Sequence, residues 1–414
     1  MSRNETFRIA VRRFGPFESA IEKIWAAFEE ETNSGLRLEF VPMDLHPLHE
    51  ALFENGGLKN GDWDVTQINT DWLGEAHAAQ ALVDLRPWLE QRPPEEFPDG
   101  WTPSLLRVQA FGDVVFGLPF HDGPEVLIVR RDLFDNEAEQ RAFRDRHGRD
   151  LRVPETWKEF REAARFFHRP DQNLYGTVFA AFPDGHNTVY DFALQTWTHG
   201  GELVNGAGRV VVDSAGARAG LEFYRSILND TSAVHPRCRE FDSVKSGLAF
   251  AAGEVALMVN WFGFAAMGEV VAESRVKGKV EIAPIPHAPG ASSASLNCYW
   301  LYAVAAGSPH RETAYDFIRF AVSAENDRLL TLEGGIGCRK STWRDAAVNR
   351  AAPYYHRLEE LHRDARTLPR KANWAQLAEV IDRLVLETIN TDRPVEEILR
   401  EAQQEIRQWE IGAE

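Results

Sequence analysis

The chain has 414 residues, long for one core and suited to two or three domains. Its 44% hydrophobic and 26% charged content is that of an ordinary globular protein. The formal charge is 46 minus 63, or −17, with no basic stripe, which argues against nucleic acid or an anionic membrane as partner. The longest apolar region, 247–272, is broken by Glu254, Asn260 and Glu269, whereas a membrane span needs about 20 nearly uninterrupted apolar residues. A soluble chain is expected.

The opening MSRNETFRIAV carries no apolar core of signal-peptide length, which read literally predicts the cytoplasm. Phe7 to Val11 is a predicted strand, and Ile21, Ile24, Trp25 and Phe28 share one helical face. Gly35 closes that helix, Leu36 to Val41 alternates as a strand, and a helix around Leu48 to Phe53 leads to a strand at Asp64 to Ile68. This βαβαβ order predicts a parallel doubly wound sheet. Gly112 to Phe134 reads as two strands joined by the polar, turn-rich segment Phe120 to Glu125, where proline and glycine oppose a continuous ladder. Such a crossing suggests a bridge between two lobes.

Beyond it, helices are expected at Thr156 to Phe167, His186 to His199 and Ala215 to Leu228, with strands at Arg209 to Asp213, Val255 to Val259 and Lys279 to Ala283. A Pro/Gly-rich break at Ile285 to Gly290 precedes a strand at Tyr299 to Ala305 and a helix at Ala314 to Ala321. A third break, Glu333 to Ser341, opens an all-helical tail through Trp409. Three crossings predict a discontinuous body: 1–119 with 284–332 as one α/β lobe, and 120–283 with 333–414 as the other, tail included.

The chain resembles the extracellular solute-binding proteins of family 1, the sugar receptors of ABC importers whose fold is like that of maltose-binding protein. The resemblance runs through FEEETNSGLRLEF from Phe28, WDVTQINTDWLGE from Trp63, LVDLRPWL from Leu82 and FGLPFHDGPEVLIVRRDLF from Phe116. It continues through PETWKEFREAA from Pro154, FALQTWTHGGELV from Phe192, AFAAGEVALMVNW from Ala249, AVAAGSPHRETAYDFIRF from Ala303 and CRKSTWRD from Cys338. It implies a two-lobe periplasmic-binding-protein type II fold with a hinged interlobe cleft. A monomeric, non-enzymatic receptor is implied, which closes on a carbohydrate and delivers it to permease subunits, without cofactor or metal. Periplasmic or extracellular residence after signal removal is implied as well. Where the family commonly has two glycines before the tryptophan of its second crossing strand, this chain has Cys298 and Tyr299 before Trp300, and the added bulk predicts a reshaped cleft.

A sugar receptor needs flat aromatic faces for pyranose C–H groups and charged or amide groups for hydroxyls. Asn260 and Trp261 end a buried strand, where α/β sheets place ligands, and Trp261 is the preferred stacking face, with core filling as its alternative. Asn69, Thr70 and Asp71 follow a strand in the same way, although Asp71 could cap the next helix. Asp122 and Glu125 lie on the first crossing, where hinge hydrogen bonding competes with ligand contact, and alternation lets only one of Tyr299 and Trp300 face the cleft. Arg12 and Arg13 beyond the first strand, with Arg339 on the third crossing, would suit an anionic sugar; a surface role for the pair and a hinge staple for Arg339 are the alternatives. Trp197 and Trp374 sit in helical patterns that favour core packing.

Catalytic motifs are weak or absent: no GxSxG, HExxH, Walker A loop or paired CxxC occurs. Ser274 starts an SxxK match without companion motifs, and His46 and His49 share a helical face without a third ligand. The three cysteines Cys238, Cys298 and Cys338 are too scattered for a disulfide framework. Asp71 and Asp122 could serve a glycosidase, which leaves a carbohydrate-active hydrolase as one alternative and a cytoplasmic sugar sensor as another.

Overall fold

A computed structural model describes residues 5–363 and 365–411. The chain divides into two compact units. Unit 1 takes the chain up to Gly123, then Cys298–Arg363 and Arg370–Trp374; unit 2 takes Pro124–Asn297, a short return ending at Pro369, and everything from Ala375. Relative to the expected lobe limits, 284–297 lies in unit 2, and 120–123, 333–363 and 370–374 lie in unit 1.

Unit 1 is built on a five-stranded sheet in the order Arg37–Met43, Thr6–Arg12, Val65–Asn69, Trp300–Val304, Gly117–His121. The first three strands are parallel, as the βαβαβ pattern predicts, but Trp300–Val304 enters antiparallel to both of its neighbours, so the sheet is mixed. The Gly15–Thr32 helix starts with proline in its first turn and ends where Asn33 adopts a left-handed φ of 50° and donates its N–H to the Glu29 carbonyl. It buries Phe17, Ala20, Ile21, Ile24, Trp25 and Phe28, the period the sequence displays. Trp25 stacks on Phe7 of the sheet at 4.8 Å and meets Phe317 of the Arg311–Ala321 helix at 5.3 Å, which ties two helices to one sheet face.

Unit 2 carries a four-stranded sheet in the order Val280–Ala283, Glu125–Arg130, Val255–Trp261, Tyr175–Val178, with only the last pair parallel. Thr156 caps the Trp157–Phe167 helix in a capping box with Glu159, and the Trp157 indole N–H donates to Thr198 Oγ1 at 3.0 Å. The Asn187–Thr198 helix is buried along almost its whole length because the Ala215–Leu228 helix covers it; a Cβ at Gly220 would stand 2.6 Å from the Gln195 carbonyl, so only glycine permits that approach. Trp197 and Trp374 are buried.

Two expectations are corrected. Arg209 to Asp213 forms only an isolated bridge, Val204 to Val210, because Gln403 takes over its backbone: Val212 N–H donates to Gln403 Oε1 at 2.7 Å and Gln403 Nε2 donates to the Val210 carbonyl at 3.1 Å. The tail is not all helical, since Ala365–Arg366 pairs in parallel with Ser295–Leu296. No described helix is long and apolar enough to cross a membrane.

Candidate functional site

In unit 1 the carboxyl ends of the parallel strands bring together Arg12, Arg13, Asp44 and the segment Asn69 to Trp72. Val65–Asn69 is a wholly buried strand that stops because Asn69 turns its side chain back to accept the Asp71 N–H at 3.2 Å, opening a 3₁₀ turn, Thr70–Trp72. Asn69 Oδ1 also accepts from the Cys298 thiol at 2.9 Å, and Thr70 Oγ1 accepts the Tyr299 N–H at 3.2 Å. Trp300 lies opposite Asn69 in the ladder, half-buried, with its ring edge-on to Trp72 at 5.7 Å. Of the alternating pair Tyr299 and Trp300, Trp300 therefore keeps the exposed face. Tyr299 is buried and its hydroxyl donates to the Leu105 carbonyl, so the bulk added at this position goes into the interior of unit 1.

Arginine does not assemble an anion site here. Arg12 faces Asp44 at 3.5 Å and Arg13 faces the same carboxylate at 3.7 Å, so the two guanidiniums share one counter-charge. Arg339 is 0% exposed, and its guanidinium donates to Glu96 at 2.7 Å, to the Glu95 carbonyl at 3.0 Å and to the Val322 carbonyl at 3.2 Å, lying 4.4 Å from the Trp101 ring centroid. Nη1 and Nη2 both donate inside unit 1 and Nε is buried without a partner, which makes the side chain the staple of the sequence alternatives.

Asp122 is likewise internal. Its carboxylate meets His362 Nε2 at 2.5 Å, His362 Nδ1 meets Ser104 Oγ at 3.0 Å, and Trp343 stacks parallel on the His362 ring. Neighbouring His121 accepts the Ile336 N–H on Nδ1 at 2.9 Å, and burial holds its pKa down at about 4 against the pull of Asp122. With Asp122 enclosed, it makes no open carboxylate pair with Asp71, and the Ser104, His362 and Asp122 chain is buried at every member.

In unit 2 the ladder places Glu125 directly opposite Trp261. Asn260 is internal, donating to the Ser243 carbonyl at 3.0 Å and accepting the Trp261 N–H at 2.8 Å, which fixes the strand end from which Trp261 projects half-exposed. Trp261 stands edge-on to Tyr190 at 5.5 Å and 88°. Glu125 is only 6% exposed and its Oε2 is a buried atom without a hydrogen-bond partner. Burial, then Asp191, raises Glu125 well above the usual carboxylate range. Burial also raises Asp191, to about 7, assisted by Asp184 and opposed by the Tyr224 hydroxyl, which donates to Asp191 at 2.5 Å.

Tyr190 and Asp191 escaped the sequence reading, since inside a helix neither differs from a core position. Their signal was the i, i+1 placement of a ring and an acid within a segment already noted as helical. Among the described residues no group of three or more histidine, cysteine or acidic side chains is placed to hold a metal; His49 pairs with Glu75 at 2.8 Å.

The bacterial extracellular solute-binding protein family model matches residues 15–328. A probable ABC transporter-binding protein of Deinococcus radiodurans is 22% identical over 364 residues, covering 86% of this chain and 81% of that protein. Maltose-bound MalE3 of T. maritima superposes with a TM-score of 0.84 at 23% identity over 98% of this chain and 99% of that one. An ABC transporter solute-binding protein from Agrobacterium radiobacter K84 in complex with ribitol gives 0.84 at 23% over 98% of each. These likenesses establish a two-lobe α/β fold, and the family match across most of the length shows that the chain belongs to the bacterial extracellular solute-binding proteins.

Proposed function

We propose that this protein is the solute receptor of an ABC importer and that its solute is polyhydroxylated, a saccharide or polyol. The observation that carries the reading is Trp261, half-exposed at a strand end beside Tyr190 and opposite Glu125, an aromatic face next to a hydrogen-bonding carboxyl. The half-buried Trp300, braced edge-on by the buried Trp72, with Thr70 and Asp71 on the adjoining turn, offers unit 1's counterpart of the same chemistry. The internal engagement of Arg339 weighs against an anionic solute. The maltose and ribitol named with the two similar structures are neutral. Residence in the periplasm or outside the cell, delivery to permease subunits and a monomeric state go with the reading.

Thermal-shift screening against neutral saccharides, polyols and their uronates tests it. A true solute at 100 times its dissociation constant adds about 2.7 kcal/mol of stability. Stabilisation by uronates alone would overturn the neutral assignment, and conversion of a bound glycoside to reducing sugar would overturn the receptor in favour of a hydrolase.

A further inference from the structure

The sequence marks His49 only as one of two histidines on a helical face. In unit 1 it begins a line of contacts that ends on a half-exposed ring. The Leu45–His49 helix follows the strand Arg37–Met43, and the Leu73–Ala78 helix follows Val65–Asn69 and its 3₁₀ turn, so both start at the carboxyl ends of the parallel strands. His49 Nε2 meets Glu75 Oε2 across these two helices at 2.8 Å. The imidazole stands edge-on to Trp72, 5.1 Å away at 74°, and Phe53, four residues beyond His49, meets the same indole at 6.4 Å and 88°. Trp72 is buried and lies 5.7 Å from Trp300 at 82°, and Trp300 is half-buried.

Each contact in the line restricts the next. The Glu75 hydrogen bond holds the imidazole, the imidazole and Phe53 hold the Trp72 indole, and Trp72 limits the rotation of Trp300. A ring whose orientation is already set loses less freedom when a solute stacks on it, so more of the stacking energy appears as affinity. The His49 and Glu75 side chains are 24% and 33% exposed, so their pairing contributes little to folding stability. What it contributes is orientation. We infer that His49, held by Glu75, is a positioning residue for the indole of Trp300, and that this line of contacts favours pyranose sugars over acyclic polyols. A pyranose presents one fixed face of C–H groups to a fixed ring, and an acyclic polyol presents none. The inference rests on the proposed saccharide or polyol reading, with Trp300 as its aromatic face in unit 1, and narrows it.

Calorimetry on the full chain tests it, with methyl glucoside and maltose as pyranose probes and ribitol and mannitol as acyclic ones. H49A removes the brace and E75A removes the group that holds it. H49A is expected to weaken pyranose binding by about two- to tenfold, E75A in the same direction by less, and both to leave polyol affinity within about twofold of wild type. In a W300A background, which has no ring left to position, H49A should change pyranose affinity by no more than about twofold, whereas a merely structural role would carry its full penalty into that background. If H49A fails to fold, E75A and its combination with W300A decide. An unchanged ratio of pyranose to polyol affinity in both single variants, an undiminished penalty in the W300A background, or binding of acyclic polyols alone by the wild type overturns the inference while leaving the receptor reading standing. If only pyranoses bind, the comparison with W300A decides by itself. Failure of every probe to bind the wild type overturns both readings.

Discussion

Replacing Arg339 with alanine should cost folding stability, not solute affinity. The side chain is fully buried; Nη1 serves two carbonyls, Glu95 and Val322, while Nη2 serves the Glu96 carboxylate. Hydrogen bonds with a charged partner contribute about 1.5–3 kcal/mol each, and the Trp101 face adds roughly 0.5–2 kcal/mol. Glu96 is 58% exposed, so its ion pair adds little, at most about 1 kcal/mol. Removing the guanidinium also relieves the desolvation of a buried charge, which offsets part of the loss. The net expectation is a destabilisation of about 3 kcal/mol. Urea unfolding followed by tryptophan fluorescence reads it, and calorimetry with a stabilising solute reads the affinity of the folded variant. R339K keeps the charge but not the planar fork, and should fall between alanine and wild type. A variant within about 0.5 kcal/mol of wild type in stability that binds its solute tenfold more weakly would falsify the assignment of Arg339 to the interior.

Trp261→Ala should leave the unfolding midpoint nearly in place, because the ring is only half-buried, and should weaken solute binding by about 0.5–1.5 kcal/mol beyond the buried area it contributes; unchanged affinity in calorimetry would make the residue scaffold. Thr156→Ala breaks the capping box of the Trp157–Phe167 helix and should cost about 1 kcal/mol by denaturant titration, a neutral result counting against the cap. His121, held near 4 when folded against about 6.5 when unfolded, contributes stability that is present above pH 6.5 and lost as the pH falls toward 4, on the order of 3 kcal/mol. Asp327, a buried carboxyl in unit 1 that accepts the Cys338 and Arg339 N–H groups and that burial raises to about 6, and Asp191, raised to about 7, act oppositely, their contribution being present near pH 4 and lost as the pH rises through those values. The stability gap between wild type and His121→Asn should therefore narrow on acidification from pH 6.5 to 4, and a constant gap would contradict the burial argument.

Where local pattern and packing agree, the sequence was readable. The face Ile21, Ile24, Trp25 and Phe28 buries as its period demands, whereas the cap after the third strand belongs to Asn69 and not to Asp71, whose N–H it accepts. Long-range partners were not readable. RVVVD at 209–213 has the composition of a strand, yet a glutamine nearly two hundred residues later takes its backbone bonds. Arg339 and Asp122 carry charge at turn-rich crossings, which on sequence favours contact with a solute; their partners Glu96 and His362 lie more than two hundred residues away in the chain. Tyr299 and Trp300 were separable only up to a choice of face, because alternation gives parity but not which side is covered.

The place of Trp300–Val304 between Val65–Asn69 and Gly117–His121 bears on synthesis as well as on the finished sheet. When the ribosome has delivered the first 121 residues, two strands of unit 1 still lack their shared neighbour, and 183 residues separate His121 from Val304. At about 5–20 residues per second that interval lasts roughly 10–40 s, during which the whole unit 2 sheet emerges and can pair. The sheet of unit 1 thus begins first and is completed second, with open strand edges exposed meanwhile to any chain or chaperone able to add a strand.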